Sequence, residues 1–99
     1  MDAIPLTGKQ RRFLKGRAQR LEPAVWVGDA GITAGVLHSL DLALRSHELV
    51  KVRMRQPDDK KAMAARLATE SGAALLGLVG HTALLSRANP DDPVIELPP

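Results

Sequence analysis

Gly28 and Gly31 stand three residues apart in the run Val25-Trp26-Val27-Gly28-Asp29-Ala30-Gly31-Ile32-Thr33. That spacing suits one kind of chemistry, the holding of a phosphate. Two glycines between a strand and a helix let the backbone turn tightly and come close to a ligand. A helix opening at Thr33 would add unpaired N–H groups and a partial positive charge. Gly-x-x-Gly is common by itself, but this one sits among many cations. Lys9, Arg11, Arg12, Lys15 and Arg20 precede it, and Lys51, Arg53 and Arg55 follow. The residues whose types could do chemistry therefore point to a polyanion held through its backbone.

Other chemistries find little material. The chain has no cysteine, which excludes disulfides, iron–sulfur clusters and thiol catalysis. It has no Gly-x-Ser-x-Gly elbow, no phosphate-loop Gly-x-x-x-x-Gly-Lys-Ser/Thr and no His-Glu-x-x-His. Gly28-Asp29-Ala30 fails the Gly-x-Gly start of a dinucleotide site. His38 and His47 lie nine residues apart on one predicted helix and make a poor metal pair. His81 is the one histidine placed to act, on a predicted hairpin turn beside Thr82. Asp58-Asp59 reads as a helix cap. The sequence thus predicts no enzyme activity, no cofactor or metal, and no small-molecule substrate.

The elements that must position these residues follow from periodicity. Thr7 can cap a helix over about 8–20, which Glu22-Pro23 ends. Leu6, Phe13, Leu14, Ala18 and Leu21 share one arc of it, and Lys9, Arg11, Arg12, Lys15 and Arg20 fill most of the rest. Arg17 falls inside the apolar arc and is expected to snorkel or to pair with a carboxylate. Asp2 is the only acid in the first 21 residues. Such a face gains nothing from i,i+4 ion pairs and suffers like-charge repulsion, which favours an anionic partner.

A strand at 25–27 and the glycine loop come next, then a helix from Ala34 to His47 capped by Thr33. Its Val36, Leu37, Leu40, Ala43 and Leu44 repeat at helical spacing. The segment 49–55 alternates: Val50, Val52 and Met54 point one way, and Lys51, Arg53 and Arg55 the other. A third helix is predicted at 59–72, with Met63 and Leu67 on its buried side. Strands at 74–79 and 83–88 flank the Gly80-His81-Thr82 turn. The tail from Asn89, rich in proline, should be irregular apart from an edge pairing at Val94–Leu97. The fold class is α/β in a single compact domain, order α-β-α-β-α-β-β, with a mostly open, mixed four-stranded sheet and helices packed on it. The core spans about residues 5–88.

Composition sets the outer bounds. Of 99 residues, 44% are hydrophobic and 25% charged, an ordinary globular mixture. No apolar run approaches the ~20 residues of a membrane span. The first residues lack the basic-then-apolar order of a signal peptide, so a cytoplasmic monomer without membrane contact is the expectation. The net charge of +3 hides an asymmetry. Residues 1–55 hold ten Lys/Arg against five Asp/Glu, and residues 56–99 hold four against six. A basic half attracts polyanions, nucleic acid before an anionic membrane, because no strongly apolar helix face accompanies the charge. Phe13 and Trp26 are the only aromatics; Phe13 is assigned to the apolar helix face and Trp26, between two valines, to the packed interior.

Four motifs in register resemble a known family. Leu6-Thr7-Gly8-Lys9-Gln10-Arg11-Arg12-Phe13-Leu14-Lys15-Gly16, Val27-Gly28-Asp29-Ala30-Gly31-Ile32-Thr33, His47-Glu48-Leu49-Val50-Lys51-Val52 and Val79-Gly80-His81-Thr82-Ala83-Leu84-Leu85-Ser86-Arg87 are similar to the CRM domain (chloroplast RNA splicing and ribosome maturation), in its stand-alone bacterial YhbY type. The resemblance implies an RNA-binding domain similar in fold to the C-terminal domain of translation initiation factor three. It also implies ribosomal RNA, in precursors of the large ribosomal subunit, as partner. The family's glycine loop carries over to Gly28, Asp29, Ala30 and Gly31, and its basic surface to the first helix and Lys51. Three positions depart from the family pattern. Asp29 adds a negative charge to the loop, His81 replaces a frequent Lys or Arg, and Ser86 replaces a frequent aromatic. The alternative is a protein-interaction module that joins the ribosome through a protein contact.

Overall fold

The computed structural model describes residues 6–99. Seven elements follow in the expected order: α1 (Gly8–Ala18), β1 (Val25–Val27), α2 (Ala34–His47), β2 (Leu49–Met54), α3 (Lys60–Ser71), β3 (Ala74–Val79) and β4 (Thr82–Ser86). The strands form one mixed sheet in the order β1-β2-β4-β3. β1 runs parallel to β2, joined by the α2 crossover, and β4 is antiparallel to both of its neighbours. No helix among the described residues is long and apolar enough to cross a membrane.

Caps explain where the helices begin. Thr7 Oγ1 accepts the Gln10 N–H at 3.1 Å while Gln10 Oε1 accepts the Thr7 N–H at 3.0 Å, a reciprocal box. Thr33 and Asp59 each accept the N–H three residues on, both at 3.1 Å. Each cap satisfies a donor that the helix itself leaves unpaired. α1 ends at Ala18, short of residue 20, because Gln19 and Arg20 form a turn in which the Leu21 N–H reaches Ala18 O. β4 spans 82–86 instead of 83–88. Arg87 leaves the ladder, and its guanidinium donates to Ser71 O at 2.7 Å and Asp41 Oδ1 at 2.9 Å, tying the strand end to α3 and α2.

The sheet has two unequal covers. On one face Val25, Val27, Val50, Val52, Met54, Ala83 and Leu85 pack against Leu40 and Leu44 of α2 and Ala64, Leu67 and Ala68 of α3. On the other, Leu14 and Ala18 of α1 meet Leu49 and Leu76, with Leu84, Ile95 and Leu97 alongside. A bulge between Leu75 and Gly77 accompanies the burial of Leu76 in this second cluster. Of α1, only the i,i+4 pair Leu14 and Ala18 is fully buried. Phe13, 38% exposed, and Leu21 therefore do not join the buried arc expected of them. Arg17 is exposed and makes no ion pair among the described residues, so the carboxylate partner is not found.

The tail makes no edge strand at Val94–Leu97; it is held by Glu48 instead. Glu48 follows α2 in the left-handed conformation (φ 62°), and its N–H caps the helix on Leu44 O. Its carboxylate is buried and accepts N–H groups from Asn89, Val94 and Ile95, the last two at 2.6 Å. Its carbonyl accepts the Arg87 N–H at 2.9 Å. One residue thus joins the end of α2, the end of β4 and the tail.

Candidate nucleic-acid interface

Strand alternation sorts β2 as expected. Val50, Val52 and Met54 are buried, Arg53 and Arg55 are exposed, and Lys51 is half-buried. The helix α1 lies on the same side of the sheet as Lys51 and Arg53, because Leu49, which shares their alternation, packs under Leu14 and Ala18. The two basic regions, far apart in sequence, therefore occupy one side of the molecule. Lys51 Nζ donates to Leu21 O at 2.9 Å, fastening the end of α1's exit turn to β2. The aliphatic stem of Lys15 crosses Gly77 of β3, its Cε 3.7 Å from where a Cβ would stand.

Not every expected cation faces solvent. Arg11 is half-buried and turns toward Leu75 O on β3 (3.5 Å). Lys9, Arg12 and Arg20 are exposed on or just beyond α1. The first turn of α1 holds no acid. Local stability favours acids at the positive end of a helix dipole, so Lys9, Arg11 and Arg12 there work against the helix. Helix stability does not account for that placement.

The far end of this sheet side is left bare. Trp26, expected in the packed interior, is 61% exposed. Val25 and Val27 take the inward face, alternation turns Trp26 to the other, and the cluster beneath α1 includes no residue of β1. A row crosses all four strands there: Trp26 pairs in register with Arg53, Arg53 with Thr82, and Thr82 with Val79. Beside it opens a concavity of about 440 Å³ lined by Trp26, Gly28, Arg53, Arg55, Gln56 and His81, among others. Ser86 is buried at the opposite end of β4 and offers no surface.

The glycine loop borders the same concavity. Ile32 packs on the main core and fixes the far end of the loop, while Gly28, Asp29 and Ala30 are exposed. The Gly31 N–H closes a turn on Gly28 O at 3.0 Å, and Gly31 sits at φ 75°, where a side chain is strained. Gly28 has open space around the position of a Cβ. Asp29 Oδ1 lies 3.8 Å from Arg55 Nε, a solvent-exposed pair that draws the loop toward the end of β2. The structure thus brings together Gly28, Arg53, Arg55 and His81, with Thr82 in the adjoining row. It leaves Lys9, Arg11, Arg12, Lys15 and Arg20 on α1 and its exit turn. Among the described residues no group of three or more acids and histidines could hold a metal ion.

These features define a class, an open-sheet α/β domain with one cationic side suited to polyanions. Within it, residues 6–87 match the CRS1/YhbY (CRM) domain, and the chain belongs to that family. A Haemophilus influenzae protein named "RNA-binding protein" is 38% identical over 95 residues, covering 94% of this chain and 95% of its own. YqeI of Bacillus subtilis, named "Probable RNA-binding protein", is 36% identical over 95 residues, covering 94% and 99%. A Staphylococcus aureus protein solved in solution superposes with a TM-score of 0.79 at 32% identity, over 95% of this chain and 100% of that one.

Proposed function

We propose that this protein is a non-enzymatic RNA-binding protein that engages ribosomal RNA in precursors of the large subunit and assists its assembly, as a cytoplasmic monomer. The observation that carries the reading is an acid-free helix and a cationic strand face on one side of the sheet, with the glycine loop at the strand ends beside Arg53 and Arg55. The names of its relatives support RNA as the polyanion, and the resemblance of its motifs to the CRM domain extends the reading to ribosomal RNA. Lys9, Arg12, Lys15, Arg53 and Arg55 would neutralise phosphates, and the loop at Gly28 would let the RNA backbone approach.

For about five phosphate contacts, log K should fall with log salt at a slope of roughly −3.5 to −4.5. Fluorescence anisotropy against protein-free ribosomal RNA at several salt concentrations measures it. A slope near zero would sink the reading, and the absence of binding to naked RNA would return the protein-contact alternative.

The glycines divide by what holds them. Gly31→Ala should lose about 1 kcal/mol of stability from the left-handed backbone alone. Gly28→Ala should stay within about 0.5 kcal/mol of the parent, yet weaken RNA binding several-fold. Thermal denaturation and anisotropy on both variants check this. Unchanged affinity in Gly28→Ala would reassign the loop to structure.

A further inference from the structure

We propose that Trp26 is a stacking platform for an unpaired RNA base, so that the bare end of the sheet selects single-stranded RNA. This rests on the RNA-binding reading and narrows it to a strand type. Three observations converge on it. The indole is 61% exposed on a sheet face that, among the described residues, no helix covers at that end. Arg53 is its in-register neighbour, with Thr82 and Val79 completing a row across the sheet. The concavity that Trp26 lines, about 440 Å³, is also bordered by Gly28, Arg55, Gln56 and His81.

An exposed tryptophan is an unfavourable surface choice unless something covers it, and the chemistry around it says what. Arginines beside an aromatic plane match a nucleotide, whose base offers a π-face and whose phosphate offers a charge. With neighbouring strands about 4.8 Å apart, the row from Trp26 to Val79 spans about 14 Å, room for more than one nucleotide. A base on the indole places its phosphates toward Arg53 and Arg55. The same surface serves a duplex poorly, because paired bases are stacked on one another and present no free face. A nucleotide in the concavity also meets Gln56 and His81, whose side chains carry hydrogen-bonding groups suited to base edges.

Trp26 is the chain's sole tryptophan and there is no tyrosine, so intrinsic fluorescence reports this site alone. The test titrates the full chain with a 12-nucleotide single-stranded RNA of non-self-complementary sequence and with the same strand annealed to its complement, and anisotropy is followed in parallel. The single strand is expected to quench the tryptophan with the midpoint seen in anisotropy, and the duplex to bind without comparable quenching. Trp26→Ala should weaken single-strand binding about 5- to 150-fold, the range found for a lost base–aromatic stack, and Trp26→Phe, which keeps an aromatic face, should retain most of the affinity. Thermal denaturation confirms that both variants are folded, as the exposure of the site predicts. Binding of the single strand with no quenching, or with unchanged affinity in Trp26→Ala, overturns the platform while leaving RNA binding intact. Equal quenching by the duplex overturns the selection of unpaired bases. If neither RNA binds at low salt, the broader reading falls first and takes this one with it.

Discussion

Reversing Arg53 and Arg55 to glutamate should lower affinity for RNA by on the order of 100-fold at moderate salt, with about 1.5 lost from the salt slope. Removing a single phosphate contact costs roughly five- to eightfold near 0.1 M salt, and a reversal adds repulsion to the loss. Both side chains are exposed, so the fold should survive. The one ion pair broken among the described residues is Arg55–Asp29, whose solvent exposure limits it to about 1 kcal/mol or less. The control is Lys60→Glu with Lys61→Glu at the start of α3, which packs on the opposite face of the sheet. It changes net charge by the same amount, so a local contact and a general attraction give different answers. An equal loss in both double variants would reduce the strand face to a source of steering.

Glu48→Gln should destabilise the fold by about 2–4 kcal/mol, the scale of losing charge-assisted hydrogen bonds and leaving a buried donor unpaired. Burial by itself would raise the Glu48 carboxyl. The N–H groups of Asn89, Ile95 and Val94 more than offset that and hold it below its ordinary value of 4.5. A carboxyl depressed in the folded state contributes stability above its unfolded value and loses it as pH falls through the folded one. The parent should therefore be stable at neutral pH and down to about 4.5, then weaken below that. The gap between parent and Glu48→Gln should close over the same acid range. Urea denaturation of both proteins from pH 7 to pH 3 reads the effect. A gap that stays constant with pH would mean the amide costs stability through shape, not charge. Glu48→Gly gives a second view. It relieves the left-handed backbone but abolishes the clamp, and it should still be less stable than the parent.

The features legible in the sequence were those with a local period or a local partner. Thr7, Thr33 and Asp59 cap helices three residues away, and Val50, Val52 and Met54 alternate within one strand. Trp26 was misplaced for a different reason. Val-Trp-Val alternation already turns the indole away from its valines, but whether that second face is covered depends on where α1 lands. Only Leu14 and Ala18 are wholly buried by its seat on the sheet, and nothing in α1's own spacing says it stops short of β1. Glu48 escaped notice because its partners lie 41, 46 and 47 residues away. The cationic strand face was visible, but its sharing of one side with α1 needed the sheet order. Arg11, grouped by type with its neighbours, was separated from them only by its turn onto β3.

The tail has one more consequence. The match to the family model ends at residue 87, but the folding unit does not. Beyond that point lie the three amides that occupy the Glu48 carboxylate, and Ile95 and Leu97, which close the small cluster beneath α1. A chain cut at the edge of the resemblance would leave a bare buried anion, and α1 would lie on an unfinished floor. The segment beyond the family match thus helps to seat the helix that the match begins with.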